Sequence, residues 1–500
     1  MPLTRAELHA FCSYAQKIQA ERSIPNFVLS IIHPAENILF ANGPSTDTNT
    51  LFAVGSLSKA FAATVIAHLV DKNRINWNDS ICQFIDIKLP ENVDLTIRQM
   101  LSHMNRFPEH ALTEASEFGF SRTELIKKLR YVKLNKEIKF SYQNILFSLV
   151  ADIVESVTGQ TYQDYLREHI LKPLGMLTTT VCEKEYLENG NKASPHIKHD
   201  DLIANIPYSP YWNEMGPPSC IATSISDLTR WMKFHLQIDN TFLISKKSLE
   251  VVHTPDADAK PPYAMGWWKA DEQGLVLSHT GSVTGFESAI AIIPSCKIGI
   301  AVSCNLSGNS FPYDLVNHFM QRFLNEKTFS CKNALQLQMP LLKTMRPLTN
   351  YIGDFYHPIL ENIKIIRKQD SLQLEISKKK TIATLSPISV LASHAKITQQ
   401  LLQLSQYQCF KISWQSGMKA AGIVYYDNDI ISFVENEKGV MDAILFYAES
   451  IDASLLICKR AVNSNDLLVT QSLFKVNKNE RVATHAHKQI QQPISFGAVK

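Results

Sequence analysis

The sequence predicts an α+β protein whose carboxyl-terminal part is mostly β. Long apolar runs typical of buried helices follow residues 59 and 144. Short apolar runs typical of strands occupy 26–42, 289–294 and 298–304. From about residue 348, single apolar residues alternate with polar ones, as they do along strands with one buried face. We therefore expect an α+β domain followed by a smaller β-rich domain.

Four segments are predicted along the 500 residues. Residues 1–325 form the α+β domain, which opens with a helix in 1–25 and closes with a helix over 315–324. Residues 326–347 are mixed and polar enough for a linker. Residues 348–462 form the β-rich domain, with a hairpin around Gln369-Asp370 and further strands at 409–414, 422–426 and 430–434. Residues 463–500 are polar and are predicted to be a partly disordered tail.

The charge balance and the hydropathy exclude two classes of protein. The chain has 50 basic and 47 acidic residues, a net charge of +3, and no basic stripe, which argues against nucleic-acid binding. We find no apolar run of membrane-spanning length. The first residues are charged and amphipathic, unlike a secretory signal, so we expect a cytoplasmic protein, with a leader that has been removed as the alternative.

The cysteines and histidines do not form a metal-binding pattern in the sequence. The nine cysteines are scattered and odd in number, as expected of free thiols. Seven of the histidines outside the motifs below are considered as metal ligands and are expected to be packed or solvated instead: His103, His110, His196, His199, His357, His485 and His487. We predict no metal and no cofactor.

Ser56 and Lys59 form a Ser-x-x-Lys motif at the start of the first apolar run. A hydroxyl and an amine three residues apart on a helix share a face, so a lysine with a lowered pKa can take the serine proton. The same spelling recurs four times in polar or turn-like contexts, at 377–380, 393–396, 416–419 and 472–475. The alternative is an ordinary capping serine with a solvated lysine.

Two further motifs follow in the chain. Tyr142 and Asn144 precede a predicted helix over 145–157 that Gly159 would end. A tyrosine can relay a proton and an asparagine can bind an amide, although a packed tyrosine beside a capping asparagine is the alternative. A predicted strand then carries His279-Thr280-Gly281, which could offer donors to a substrate carbonyl or carboxylate. A hairpin glycine beside a surface histidine is the alternative.

In this order, the three motifs resemble those of the serine β-lactamase and penicillin-binding-protein superfamily. The tyrosine and His-Thr-Gly versions resemble its class C-type branch, which includes esterases and D-amino-acid peptidases. The segments 52–59, 95–103, 140–144, 173–176 and 278–282 resemble the flanks, and the resemblance covers about the first 320 residues. It implies an antiparallel sheet flanked by helices, with a helical lobe from roughly 80–230 and a site between them. Residues 351–358 resemble the start of an appended β-barrel module.

The resemblance also implies a role for each motif residue. Ser56 would be the acylated nucleophile, Lys59 its proton acceptor and Tyr142 the second proton relay. Asn144 would bind a substrate amide or orient Lys59. The Ser56 and Ser282 backbone N–H groups would form an oxyanion hole.

The resemblance further implies that four consecutive residues of one strand bind the substrate: His279, Thr280, Gly281 and Ser282. His279 stands where many relatives have lysine, so its charge is expected to change near neutral pH. Two departures from the family pattern, Arg106 and the segment 217–220, are expected to alter loops near the cleft.

These inferences predict a serine hydrolase that acts through an acyl-enzyme on small esters or amides. Esterase or D-amino-acid peptidase activity is favoured over efficient β-lactam hydrolysis, and the expected partner is a small molecule or a short peptide. The alternative is a catalytically silent binding or scaffold protein of the same fold. Reaction of Ser56 with a serine-directed probe separates the two.

Overall fold

A computed structural model describes most of the predicted α+β domain and the strands that follow it. The described residues are 4–112, 120–199, 202–209, 215–238, 242–269, 276–324, 351–357, 361–368, 371–376, 381–387, 408–414, 430–435, 441–447 and 456–460. They fall into two compact units. The first unit contains the described residues of 4–111 and 132–324, and the second contains 112, 120–131 and the described residues from 351 onward.

Most helices belong to the first unit. The α-helices are α1 (Arg5–Glu21), α2 (Ser58–Asp71), α3 (Ile97–Leu101), α4 (Arg122–Lys128), α5 (Asn144–Ser148), α6 (Val150–Thr158), α7 (Tyr162–Leu166), α8 (Glu183–Glu188), α9 (Ile225–His235), α10 (Lys246–His253) and α11 (Phe311–Leu324). Thr4 caps α1 through a capping box with Glu7, which fixes where the helix starts. The predicted first and last helices of this domain are confirmed.

An antiparallel sheet forms the centre of the first unit. The strands before residue 325 are β1 (Phe27–Ile32), β2 (Ile38–Asn42), β3 (Phe52–Ala53), β4 (Met104–Asn105), β5 (Lys139–Phe140), β6 (His196–His199), β7 (Leu202–Asn205), β8 (Ala222–Thr223), β9 (Trp268–Lys269), β10 (Leu277–Val283), β11 (Phe286–Ile293) and β12 (Ile298–Cys304). Six of them form the main sheet in the order β2-β1-β12-β11-β10-β9. Its neighbouring strands are all antiparallel, as the family resemblance implied.

Both faces of this sheet are covered. Alternate β1 residues Phe27, Leu29 and Ile31 share one apolar core with residues of α1 and α11. On the other face, the Thr229 hydroxyl of α9 donates to Ser30 Oγ at 2.7 Å. Because helices cover both faces, all six residues of β1 are buried, and the strand reads as a continuous apolar run.

The second predicted apolar helix is divided into α5 and α6 at Leu149. There the Leu149 N–H donates to the Leu146 carbonyl at 3.1 Å, a tighter turn than the α-helix makes. The prediction of a single helix over 145–157 is therefore wrong, because a tight turn at Leu149 divides it. Its predicted end is confirmed: Gly159 caps α6 in the left-handed conformation, with φ of +72°.

The second unit contains a closed antiparallel barrel. Its strands are β13 (Gly353–His357), β14 (Glu361–Lys368), β15 (Ser371–Ile376), β16 (Thr381–Pro387), β17 (Gln408–Trp414), β18 (Ile430–Glu435), β19 (Met441–Tyr447) and β20 (Leu456–Arg460). Each pairs with the next, and β13 pairs with β20 to close the barrel. The alternating residues Ile363, Ile365, Leu372 and Leu374 are fully buried, as the period of two predicted.

Several predictions about this unit have different outcomes. The strands expected near 409–414 and 430–434 are confirmed by β17 and β18. Three other predictions lie outside the described residues: the turn at Gln369-Asp370, the strand at 422–426 and the tail at 463–500. The unit also includes 120–131, where Lys128 Nζ lies 2.9 Å from Glu361 Oε1. The predicted domain boundaries remain predictions.

Candidate active site

Ser56 lies in a tight turn that leads directly into α2. Gly55–Leu57 form one 3₁₀ turn, and Ser56 is partly exposed. Gly55 has φ of +53°, and a Cβ there would stand 2.8 Å from the amide nitrogen of Ser282. Only glycine combines this left-handed conformation with so close an approach. The turn therefore brings Ser56 against the end of β10.

Lys59 is completely buried, and its amine lies beside the Ser56 hydroxyl. Its Nζ is 2.9 Å from Ser56 Oγ, 2.7 Å from Asn144 Oδ1 and 3.3 Å from the Pro218 carbonyl oxygen. Residues 58–69 of α2 are all buried, so the apolar run places this amine in the interior. Burial holds the Lys59 pKa well below its usual value.

Tyr142 stands on another side of the same amine. Lys59 Nζ lies 4.7 Å from the centre of the Tyr142 ring. Within the part of the chain that the structure describes, Tyr142 Oη makes no hydrogen bond. Burial raises the Tyr142 pKa, and interaction with the Ser56 side chain opposes that rise. The phenol is therefore protonated at neutral pH and faces Ser56.

His279 is buried beside the site and is neutral. Its Nδ1 lies 2.6 Å from the Thr280 carbonyl oxygen, and its Nε2 lies 3.1 Å from Tyr263 Oη. A carbonyl only accepts, so Nδ1 carries the proton and Nε2 accepts from the tyrosine. Burial, aided by Lys59, lowers the His279 pKa to about 3. The expectation that its charge changes near neutral pH is therefore wrong.

The remaining residues of β10 lie against the Ser56 turn. A Cβ on Gly281 would overlap the Val54 carbonyl oxygen, so a larger residue would push the strand away. Thr280 is buried, whereas Ser282 is exposed. The structure thus brings together all eight predicted site residues: Ser56, Lys59, Tyr142, Asn144, His279, Thr280, Gly281 and Ser282.

Several other groups at the site lie outside the three motifs. The Pro218 carbonyl belongs to the segment 217–220, which was expected only to alter a loop near the cleft, and Tyr263 lies in no motif. His103, expected to be packed or solvated, is packed: its ring centre is 4.3 Å from that of Tyr142. Its Nδ1 accepts from the Gln143 amide at 3.2 Å. Trp268 on β9 and Tyr263 in the loop before it supply contacts that no local spacing indicated.

Arg106 does not reach the Ser56 hydroxyl or the Lys59 amine with its hydrogen bonds. Its guanidinium lies 2.7 Å from Glu91 Oε2 and donates to the Asn135 carbonyl at 2.8 Å. The Arg106 side chain thus binds Glu91 and Asn135 and connects the loop that carries it to these two neighbouring segments.

An aromatic cluster packs beside Lys59 and includes Tyr142. Tyr142, Tyr263 and Trp268 form one buried cluster, against which Phe140 packs. The Tyr263 and Trp268 rings meet edge to face, with centres 4.6 Å apart.

The sequence profile of the Beta-lactamase family matches residues 11–322, more than half of the chain. The chain belongs to this family. The resemblance to β-lactamases that the three motifs predicted is thereby confirmed.

Two curated relatives illustrate the similarity. Protein flp of Staphylococcus aureus (strain MW2) is 26% identical over 293 residues, which cover 56% of this chain and 58% of that protein. The chain thus spans less than two thirds of the length of that relative. Unguisins hydrolase ungD' of Aspergillus campestris (strain IBT 28561) is 24% identical over 388 residues, 67% of this chain and 72% of that protein.

Solved structures share the fold. The octameric penicillin-binding protein homologue from Pyrococcus abyssi has a TM-score of 0.57 at 19% identity, covering 90% of this chain and all of that one. The D-stereospecific amidohydrolase from Streptomyces sp. has a TM-score of 0.54 at 19% identity, covering 64% of this chain and 99% of that one.

The described residues provide neither a metal site nor a membrane-spanning helix. Among these residues, no three His, Cys, Asp or Glu side chains are grouped so that they could hold a metal ion. The described helices include none with the length and apolar character needed to cross a membrane.

Proposed function

We propose that the protein is a serine hydrolase in which Ser56 is acylated by small esters or amides. The observation that carries the proposal is the buried Lys59 amine, 2.9 Å from Ser56 Oγ. The other two neighbours of Nζ, Asn144 Oδ1 and the Pro218 carbonyl, are acceptors. A neutral amine has two N–H groups for these two acceptors, and its lone pair then faces the Ser56 hydroxyl. This arrangement suits a base that removes the serine proton.

The acylation step follows from these positions. Lys59 takes the Ser56 proton as Oγ bonds to the substrate carbonyl carbon. The backbone N–H groups of Ser56 and Ser282 stabilise the oxyanion, each typically worth about 3–4 kcal/mol. Tyr142, protonated at rest, gives its proton to the leaving group as the old ester or amide bond breaks.

Deacylation reverses the proton transfers. The Tyr142 phenolate, stabilised by the Lys59 ammonium beside its ring, takes a proton from water as that water attacks the acyl group. Lys59 returns its proton to Ser56 Oγ when the acyl–enzyme bond breaks. Both residues are then back in their starting protonation states. Asn144 holds Lys59 through its carbonyl oxygen.

The neutral His279 favours uncharged groups next to the reacting carbonyl. At neutral pH it offers no positive charge to a substrate carboxylate, and its Nδ1–H is already directed at the Thr280 carbonyl. Esters and amides without a carboxylate fit this site better than β-lactams, whose carboxylate needs a partner. The similarity to a D-stereospecific amidohydrolase supports including D-amino-acid amides among the candidates.

A panel of chromogenic substrates tests this proposal. We expect a p-nitrophenyl ester to be hydrolysed fastest, D-alanyl amides or dipeptides more slowly and a cephalosporin slowest. Ser56→Ala should lose the hydrolysis of all of these substrates. Equal rates for wild type and Ser56→Ala on every substrate would indicate a silent protein of this fold. Preference for the cephalosporin would contradict the proposed substrate class.

A further inference from the structure

A buried carboxyl group lies on the far side of the proposed oxyanion hole. Glu287 on β11 is 4% exposed and pairs in register with Ser282 on β10. Its Oε1 accepts from Ser282 Oγ at 2.9 Å and from the Gly308 amide at 3.0 Å. Burying a carboxyl costs free energy unless hydrogen bonds offset it. Both of these bonds end on one oxygen and join β10 to the loop after β12.

Ser282 connects Glu287 with the Ser56 turn. Its hydroxyl is held by Glu287, while its amide nitrogen lies where a Cβ on Gly55 would approach within 2.8 Å. The preceding residue, Gly281, packs directly on the Val54 carbonyl. A side-chain bond at Ser282 therefore fixes the direction of the backbone that carries this N–H group. Oxyanion-hole donors need such fixed geometry, because small displacements weaken them.

The charge state of Glu287 is compatible with a neighbouring oxyanion. The groups that face its carboxyl are the Ser282 hydroxyl, the Gly308 amide and, from the register-paired position on β12, the Cys304 thiol. Burial raises the Glu287 pKa to about 8, against the opposing effect of the two hydrogen bonds. The carboxyl is thus mostly uncharged at pH 7 and adds little repulsion to a developing negative charge.

We propose that Glu287 is a positioning residue that holds Ser282, and with it one oxyanion donor, against the Ser56 turn. This inference rests on the proposed function, in which the Ser282 N–H stabilises the oxyanion. It adds a residue that lies outside all three sequence motifs. Glu287 itself makes no contact with the reacting atoms.

Substitutions at Glu287 and Ser282 separate positioning from general stability. Glu287→Gln keeps a carbonyl oxygen at the Oε1 position and both hydrogen bonds. Glu287→Leu keeps similar volume and removes both. Ser282→Ala removes one of the bonds from the exposed side without leaving a buried cavity. The readouts are kcat and KM for a p-nitrophenyl ester, and hydrogen–deuterium exchange of peptides that cover β10.

We expect Glu287→Leu to lower kcat about 10- to 100-fold with KM changed less than about threefold, since one oxyanion donor is worth about 100-fold or more. Its β10 amides should exchange faster. Glu287→Gln should stay within about threefold of wild type in both readouts, and Ser282→Ala should lower kcat by about three- to tenfold.

The two proposals fail in different ways. The role of Glu287 would be overturned if folded Ser282→Ala had wild-type kcat and wild-type exchange of β10. It would also be overturned if Glu287→Gln lost as much kcat as Glu287→Leu. Absence of Ser56-dependent turnover in the wild type would instead overturn the proposed function. In that case faster β10 exchange in Glu287→Leu, with wild-type exchange in Glu287→Gln, would still support the positioning.

Discussion

Lys59 carries an amine into a position where a charged group is costly. The side chain has no exposed surface, and none of its three close polar neighbours is an acidic side chain. Losing hydration without gaining a counter-ion favours the neutral amine. The burial that weakens folding thus makes the group a base at neutral pH, as catalytic lysines require.

Replacing this amine tests its role. We expect Lys59→Met to slow acylation of Ser56 by about 100- to 10,000-fold, the usual contribution of a general base. Methionine has similar volume and no charge to desolvate, so the free energy of unfolding should change by less than about 2 kcal/mol. Single-turnover kinetics with a p-nitrophenyl ester measures the first quantity, and urea denaturation measures the second. Acylation at the wild-type rate in a folded variant would contradict the role.

The motifs predicted which residues would meet, but not the surroundings of each. Ser56 lies in the 3₁₀ turn and Lys59 in the first turn of α2, and their spacing of three residues brings the two side chains together. The state of His279 could not be predicted in this way. It depends on Tyr263, a partner sixteen residues away on the loop before β9, and on burial that only the folded chain provides. Glu287 could not be predicted for a similar reason, because strand pairing and a loop bring its partners Ser282 and Gly308 to it.

At the level of secondary-structure elements, the site depends on close contact between β10 and the Ser56 turn. Gly281 and Gly55 both permit this contact, and at Gly281 the neighbouring Val54 carbonyl leaves no room for a methyl group. A side chain there must move the strand, because main-chain atoms cannot yield as a flexible side chain can. The distance from Ser282 to Ser56 is set by this packing.

An added methyl group at Gly281 is therefore expected to impair the site. Gly281→Ala should lower kcat/KM at least about 100-fold, as expected when an oxyanion donor is displaced, and destabilise the fold by about 1–3 kcal/mol. Gly190→Ala is the matched control, since a Cβ there meets nothing within 4 Å. Ester hydrolysis and thermal melting measure both effects. If the two variants behaved alike, tight strand packing would not be needed for activity.

Local patterns predicted the helices and strands better than the turns and the long-range strand pairing that connect them. The apolar run after Asn144 identified a helical region and its glycine end, but not the tight turn at Leu149. Alternation at 363–374 predicted buried strand positions, yet closure of the barrel depends on β13 pairing with β20, about 100 residues later. Long-range pairing of this kind leaves no periodic trace in the sequence.

Across the first unit, several buried or half-buried histidines link stability to pH. Burial lowers the pKa of His68 to about 4 and those of His253 and His279 to about 3; those of His103 and His235 are also lowered. In the unfolded chain these groups bind protons near pH 6.5, whereas in the folded chain they do not. Acid therefore favours unfolding. Glu287, whose pKa is raised, acts in the opposite direction between about 4.5 and 8.

The free energy of unfolding should consequently fall as the pH is lowered from about 6.5 to 4.5. Each such histidine contributes up to about 1.4 kcal/mol per pH unit. Urea denaturation of the protein at several pH values measures the slope of the free energy of unfolding against pH. His253→Asn should reduce this slope by up to about 1.4 kcal/mol per pH unit, which corresponds to one bound proton. Unchanged or rising stability over this interval would show that the buried histidines remain protonated in the folded state.

The most direct test of the account is to locate the covalent adduct of a fluorophosphonate by peptide mass spectrometry. We predict a single adduct on the peptide that contains Ser56, absent in Ser56→Ala and formed at least about 100-fold more slowly in Lys59→Met. An adduct on another residue, or labelling of Ser56→Ala at the wild-type rate, would contradict the claim that a neutral Lys59 activates Ser56.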